Sequence, residues 1–99
     1  MKSLSSHLVA YRQTPKFTQD TIPDGLRNQH TTKESSWAKI CVLSGQLRYR
    51  ILTDPPEEKI LSVETPGIVE PQVPHQVEPL GEVEFYIEFY RDREKQRHM

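Results

Sequence analysis

The chain carries a single cysteine, Cys41, among its 99 residues. One thiol closes no internal disulfide, so a reducing, cytoplasmic setting is expected. Glycine is scarce as well: four residues, at 25, 45, 67 and 81, and none of them sits in a G-x-G-x-x-G or G-x-x-x-x-G-K arrangement. That removes nucleotide binding through a phosphate-cradling loop. No apolar run approaches the ~20 residues of a membrane-spanning helix, and the segment Met1 to His7 lacks the apolar stretch of a secretory signal. Thirteen basic against fourteen acidic residues give a net charge of −1, so the chain as a whole offers no electrostatic footprint for nucleic acid. Apolar residues make up only 34%, against roughly 45–50% (glycine included) in ordinary globular chains. One modest core in one domain is expected, and a homodimer is the natural supplement to so small a core.

What the chain does have is short apolar runs punctuated by eight prolines. His7 to Arg12 reads as a strand, Phe17 to Pro23 as irregular, and Pro23-Asp24-Gly25 as a turn followed by an extended Leu26 to His30. Trp37 to Leu43 is apolar at both parities, the pattern of a strand covered on both faces, with Cys41 in its core. Gln46 to Leu52 alternates, and the intervening Ser44-Gly45 predicts a tight hairpin. Lys59 to Glu64 returns as a strand before Pro66-Gly67, and Pro79-Leu80-Gly81 predicts another turn. Beyond it, Val83, Phe85, Ile87 and Phe89 share one face, while Glu82, Glu84, Glu88 and Tyr86 share the other. Some seven short strands without a long amphipathic helix predict an all-β antiparallel sandwich or barrel over residues 7–91, flanked by a frayed start (1–6) and a charged tail (92–99).

Four histidines occur, and two fall in informative places. In Val73-Pro74-His75-Gln76-Val77 the imidazole shares parity with two valines and points inward if the segment is extended. His30 would share a face with Leu26 and Asn28. Neutral imidazole suits zinc, iron, nickel or copper, and two histidines with one carboxylate make an open metal site. Glu34 shares parity with His30, and Glu70 precedes His75 in the proline-rich loop; Glu88 faces outward. The competing expectation is that both imidazoles are hydrogen-bonded core residues. Arg48 and Arg50 lie opposite Leu47, Tyr49 and Ile51, placed for an anion or for glutamates of the last strand, and Trp37 for core or pocket.

The segments His30-Thr31-Thr32-Lys33, Ser36-Trp37-Ala38-Lys39, Val42-Leu43-Ser44-Gly45-Gln46-Leu47 and Val69-Glu70-Pro71-Gln72-Val73-Pro74-His75 resemble the N-terminal domain of tellurite resistance protein B and its single-domain relatives, from about Tyr11 to Tyr90. The resemblance implies a cupin-like double-stranded β-helix. Carried over residue by residue, the cupin metal ligands would be His30, Glu34 and His75, with Asn28 standing where the motif has its first histidine; Trp37 and Glu70, with Asn28, are the expected pocket residues. It further implies a divalent transition metal, a small molecule or oxyanion as ligand, and an accessory role in tellurite or toxic-anion resistance. These 99 residues hold no strand–glycine-loop–helix unit for S-adenosylmethionine, so any methyl transfer is expected from a separate methyltransferase chain. A small metal-dependent oxygenase or isomerase is the enzymatic alternative. A dimerisation module, using the strand Glu82 to Tyr90 and the Arg48/Arg50 face, is the structural one.

Overall fold

The alternation near the C-terminus is built into the spine of the molecule. The structure, a computed structural model, describes residues 8–27 and 36–92. Asn28, His30 and Glu34 lie outside the described residues, as do residues 1–7 and 93–99. Strand β6 (His75–Asp92) is 18 residues long, and β3 (Ser36–Ile51), 16 residues, pairs with it antiparallel from Ser36 opposite Arg91 to Ile51 opposite His75. The far edge of β6 takes β1 (Leu8–Gln13) and the two-residue β2 (Phe17–Thr18). Between these two strands Thr14 keeps the ladder closed. Its N–H donates to the Ile87 carbonyl at 2.9 Å, and its Oγ1 accepts from the Ile87 N–H at 2.9 Å. The far edge of β3 takes β4 (Glu57–Leu61) and β5 (Gly67–Val69). The only helical element among the described residues is the four-residue α1 (Asp24–Arg27). The domain is all-β and antiparallel, and no helix in the described residues is long and apolar enough to cross a membrane.

Three expectations about turns and local structure are corrected. Ser44-Gly45 does not turn a hairpin: β3 runs straight through it, with register shifts between Val42 and Ser44 and between Gly45 and Leu47. Pro79-Leu80-Gly81 likewise stays inside β6. Both glycines take the positive φ their signal implied, 77° at Gly45 and 84° at Gly81, but they serve bulges rather than turns. Pro79, which has no N–H to give a ladder, sits at this irregularity, where proline is tolerated. The third correction concerns Leu26: residues 24–27 are helical rather than extended.

The bulges matter because they reverse the inward parity of β3. Before them Ala38, Ile40 and Val42 are buried; after them Leu47 and Tyr49 are. Five steps along β3, Val42 to Leu47, match six along β6, Phe85 to Pro79, so the inward set of β6 stays on odd numbers: Val77, Val83, Phe85 and Ile87. The long ribbon bends there and closes on itself. His75 and Val77 from one half accordingly line the same interior space as Ala38, Ile40 and Ile87 from the other. Ile22 is buried in this core too, although it comes from a stretch read as irregular.

The strand Trp37 to Leu43 is buried on one face only. Trp37, Lys39 and Cys41 are half-buried on the outer face and Leu43 is exposed, so Cys41 is a surface-facing thiol rather than a core one. Across the strands Trp37 faces Tyr90, Lys39 faces Glu88 and Cys41 faces Tyr86. Burial raises the Cys41 thiol pKa, against the opposing influence of its hydrogen bond with Tyr86. The protonated thiol that results is a poor nucleophile at neutral pH.

Candidate functional site: the His75 pocket and the β4–β5 cleft

His75 opens β6 with 4% of its surface exposed. Its Nδ1 lies 3.1 Å from the Val73 carbonyl. A carbonyl can only accept, so Nδ1 carries the proton, and in its neutral form the ring then has its lone pair on Nε2. That is the tautomer which a backbone carbonyl fixes in metal-ligating histidines. The ring stands edge-on to Tyr49, with centroids 6.0 Å apart and planes at 71°. A cavity of about 20 Å³ adjoins it, lined by Leu26, Ala38, Val69, Val77 and Ile87 among others. This is room for about one water-sized ligand.

The loop before His75 is held by backbone geometry. The Val73 N–H donates to the Glu70 carbonyl at 3.4 Å, and Gln72 has φ 60°. Proline at the second position and a positive φ at the third are the marks of a type II turn, which normally takes glycine or asparagine there. Holding glutamine in that region costs on the order of 1–3 kcal/mol, a strain that tends to collect where side chains must be aimed. Here the turn joins two candidate residues: Glu70 is its first residue, and Val73, its last, passes its carbonyl on to His75.

Glu70 lines a second and larger space. Strands β4 and β5 leave the same edge of β3 at different heights, at Leu47–Ile51 and Ala38–Ile40, and the Ser62–Thr65 bridge closes the turn between them. The gap is a cleft of about 370 Å³ bounded by Tyr49, Ile51, Glu57, Lys59, Ile68 and Glu70, with Pro66-Gly67 at its edge. Tyr49 partitions it from the His75 pocket, its hydroxyl donating to the Ile68 carbonyl at 3.0 Å. Burial first, and then the negative charge of Glu70 and Glu57, raises the pKa of this hydroxyl far above the ordinary tyrosine range. Gly67 permits the close approach of β5: a Cβ there would come 2.7 Å from Leu61 Cδ1.

The remaining expected residues are spread out. Trp37 is on the outer face, across from Tyr90, away from both spaces. Arg48 and Arg50 are also on the outer face; Arg48 pairs with Glu78 of the last strand at 2.5 Å and Arg50 with Glu58 of β4 at 2.7 Å. The hydrogen bond from Arg50 holds the Glu58 carboxyl below its usual pKa. These side chains are well exposed, so each pair adds little to stability. No three histidine, cysteine, aspartate or glutamate side chains gather for a metal among the described residues.

Residues 12–87 match the model of the TehB-like domain family. The chain belongs to that family. Over 96 aligned positions it is 33% identical to a protein of Haemophilus influenzae (strain Rd) named as a probable S-adenosyl-L-methionine-dependent methyltransferase, TehB, and 32% identical to its counterpart in strain 10810. Each alignment takes in 92% of this chain but 34% of the relative, so the chain spans about a third of the length of the curated relatives it matches. The crystal structure of TehB from Haemophilus influenzae superposes with a TM-score of 0.80 at 35% identity, covering 88% of this chain and 32% of that one. A crystal structure of a protein from E. coli (strain K12) superposes with a TM-score of 0.85, covering 93% of this chain and 98% of that one. At 20% identity this second likeness concerns the fold alone.

The TehB-like match takes in every candidate residue raised from the sequence. It also encloses four that sequence reasoning passed over: Tyr49, Glu57, Lys59 and Pro66 of the cleft. Tyr49 was placed inward, and Lys59 shares parity with the buried Leu61. Only the pairing of Tyr49 with Lys59, and of Ile51 with Glu57, shows that the charges of β4 join that inward row.

Proposed function

We propose that this TehB-like domain is a cupin-like ligand- and metal-binding module with an accessory role in tellurite or related toxic-anion resistance, working beside a methyltransferase. The observation that carries the reading is His75: a buried imidazole whose Nδ1 donates to a backbone carbonyl, as metal-ligating histidines commonly do. The proposed donor set is His75 with His30 and Glu34, the latter two outside the described residues. Leu26 and Ala38, which stand on either side of residues 28–35, both line the His75 cavity. A zinc, iron or nickel ion held there would act as a Lewis acid towards an oxyanion. The methyltransferase role is carried over from the name of the Haemophilus influenzae relatives.

Protein purified without an affinity tag from metal-supplemented cells is expected to carry about one such ion per chain, measured by inductively coupled plasma mass spectrometry. His75→Ala and His30→Ala are each expected to lose it. Equal and negligible metal in all three proteins removes the metal from the proposal.

A cytoplasmic homodimer belongs to the same proposal. Its contact is the outer face on which Trp37, Cys41, Tyr86 and Tyr90 are half-buried and Leu43 is 40% exposed. Tyr and Trp are enriched in such contacts. Sedimentation equilibrium should return twice the chain mass, and Leu43→Glu should return the mass of one chain. A monomer at the start ends this part of the reading.

A further inference from the structure

Beyond the His75 pocket, the cleft between β4 and β5 has a chemistry of its own. It falls within the roughly 300–1,000 Å³ typical of small-molecule sites, at about 370 Å³. The register of β4 on β3 orders its side chains by depth. The fully buried Leu61, opposite Leu47, lies innermost; Lys59 opposite Tyr49 comes next, and Glu57 opposite Ile51 stands furthest out. Lys59 is half-buried and Glu57 exposed. Two steps along a strand put both on one face, their backbones about 7 Å apart. Among the described residues neither has an ion-pair partner. Glu70 lines the cleft too, but it has an interaction of its own. The charges that face a ligand without a partner are therefore one ammonium inside and one carboxylate at the mouth, which sum to zero. Ile51, Pro66 and Ile68 add apolar wall.

We infer that this cleft binds a zwitterion, an α-amino acid with a short apolar side chain. Its carboxylate meets the Lys59 ammonium, its ammonium meets Glu57, and its side chain lies on Ile51, Pro66 and Ile68. A carboxylate alone would be drawn to Lys59 but would enter the field of Glu57, which already opposes ionisation of Tyr49. An amine alone would meet Lys59 as a like charge. A ligand of both signs satisfies each side chain and leaves no charge over. The flexible stem of Lys59 lets its ammonium follow the ligand carboxylate. The site is separate from the proposed metal, with the Tyr49 ring between them.

The test is a titration of the whole chain with L-norvaline, followed by amide NMR shifts. Two isosteres each lack one of its charges: n-butylammonium has no carboxylate, and pentanoate has no amine. Norvaline is expected to move the amides of Lys59, Gly67 and Ile68 saturably, and each isostere to bind about fivefold more weakly, the contribution of one partly exposed ion pair. Lys59→Met should weaken norvaline and erase its advantage over butylammonium. Glu57→Gln should erase its advantage over pentanoate, and as a change at an exposed position it leaves the fold intact. His75→Ala should bind norvaline as the parent does, so loss of the metal reading leaves this result standing. Absence of saturable shifts with norvaline, an isostere binding as tightly as norvaline, or norvaline binding indifferent to both substitutions overturns the inference.

Discussion

Gly45→Ala is expected to destabilise the domain by roughly 3–5 kcal/mol, the sum of a backbone strain and a steric clash. The strain arises because φ at Gly45 is 77°, a region that costs an L-residue on the order of 1–2 kcal/mol. The clash is larger. A Cβ on Gly45 would stand 2.0 Å from the Glu82 carbonyl oxygen and 2.9 Å from the Val83 Cα. Both are backbone atoms of β6 at the register shift, so relief requires the two longest strands to part where the ribbon bends. Gly81→Ala is the control: its φ is 84°, but nothing lies within 4 Å of the added Cβ. It should show the conformational cost alone, about 1–2 kcal/mol. Urea unfolding of the three proteins measures both. Equal losses at the two glycines would mean that β3 and β6 are not in close contact at Gly45.

Phe85→Ala should cost about 3–5 kcal/mol, the range for truncating a buried aromatic. Phe85 has no exposed surface and lies in the middle of β6, opposite Val42 on one side and Phe17 on the other. Its ring meets that of Phe17 with centroids 5.6 Å apart and planes at 58°, a tilted contact that adds about 0.5–1.5 kcal/mol to simple burial. A domain of this size has only about 5–15 kcal/mol in total, so the variant should be partly unfolded near physiological temperature. A melting temperature within about 2 °C of the parent, in circular dichroism, would show that the core does not centre on this ring.

Single side chains and alternation were readable from the chain. The inward row Val83, Phe85, Ile87 and the outward glutamates follow from a period of two, and the structure bears them out. So do the outward Arg48 and Arg50, and the inward His75 and Val77. The Ser44-Gly45 hairpin failed for a specific reason. A two-residue turn there would set Val42 against Leu47, Ile40 against Tyr49 and Ala38 against Ile51. That puts the same residues in the core as the bent strand does. The parity reversal at Gly45 is equally compatible with both, so apolar pattern and glycine signal together do not distinguish a local hairpin from a ribbon paired to a strand some forty residues away.

The candidate site divides along the same line. The sequence by itself determined that His75 is inward, that Glu70 precedes it in the proline-rich loop, and that both belong to a small all-β chain of the TehB-like kind. Residue type and period are local properties, and they survive any choice of strand partners. Only the tertiary structure decided that Tyr49 stands between two spaces, and that Glu57 and Lys59 line the cleft beside it. Only the fold brings Glu70 round to their side. Those facts depend on which edge of β3 receives β4 and β5, and at what height. Long-range register fixes that, and no window of adjacent residues contains it.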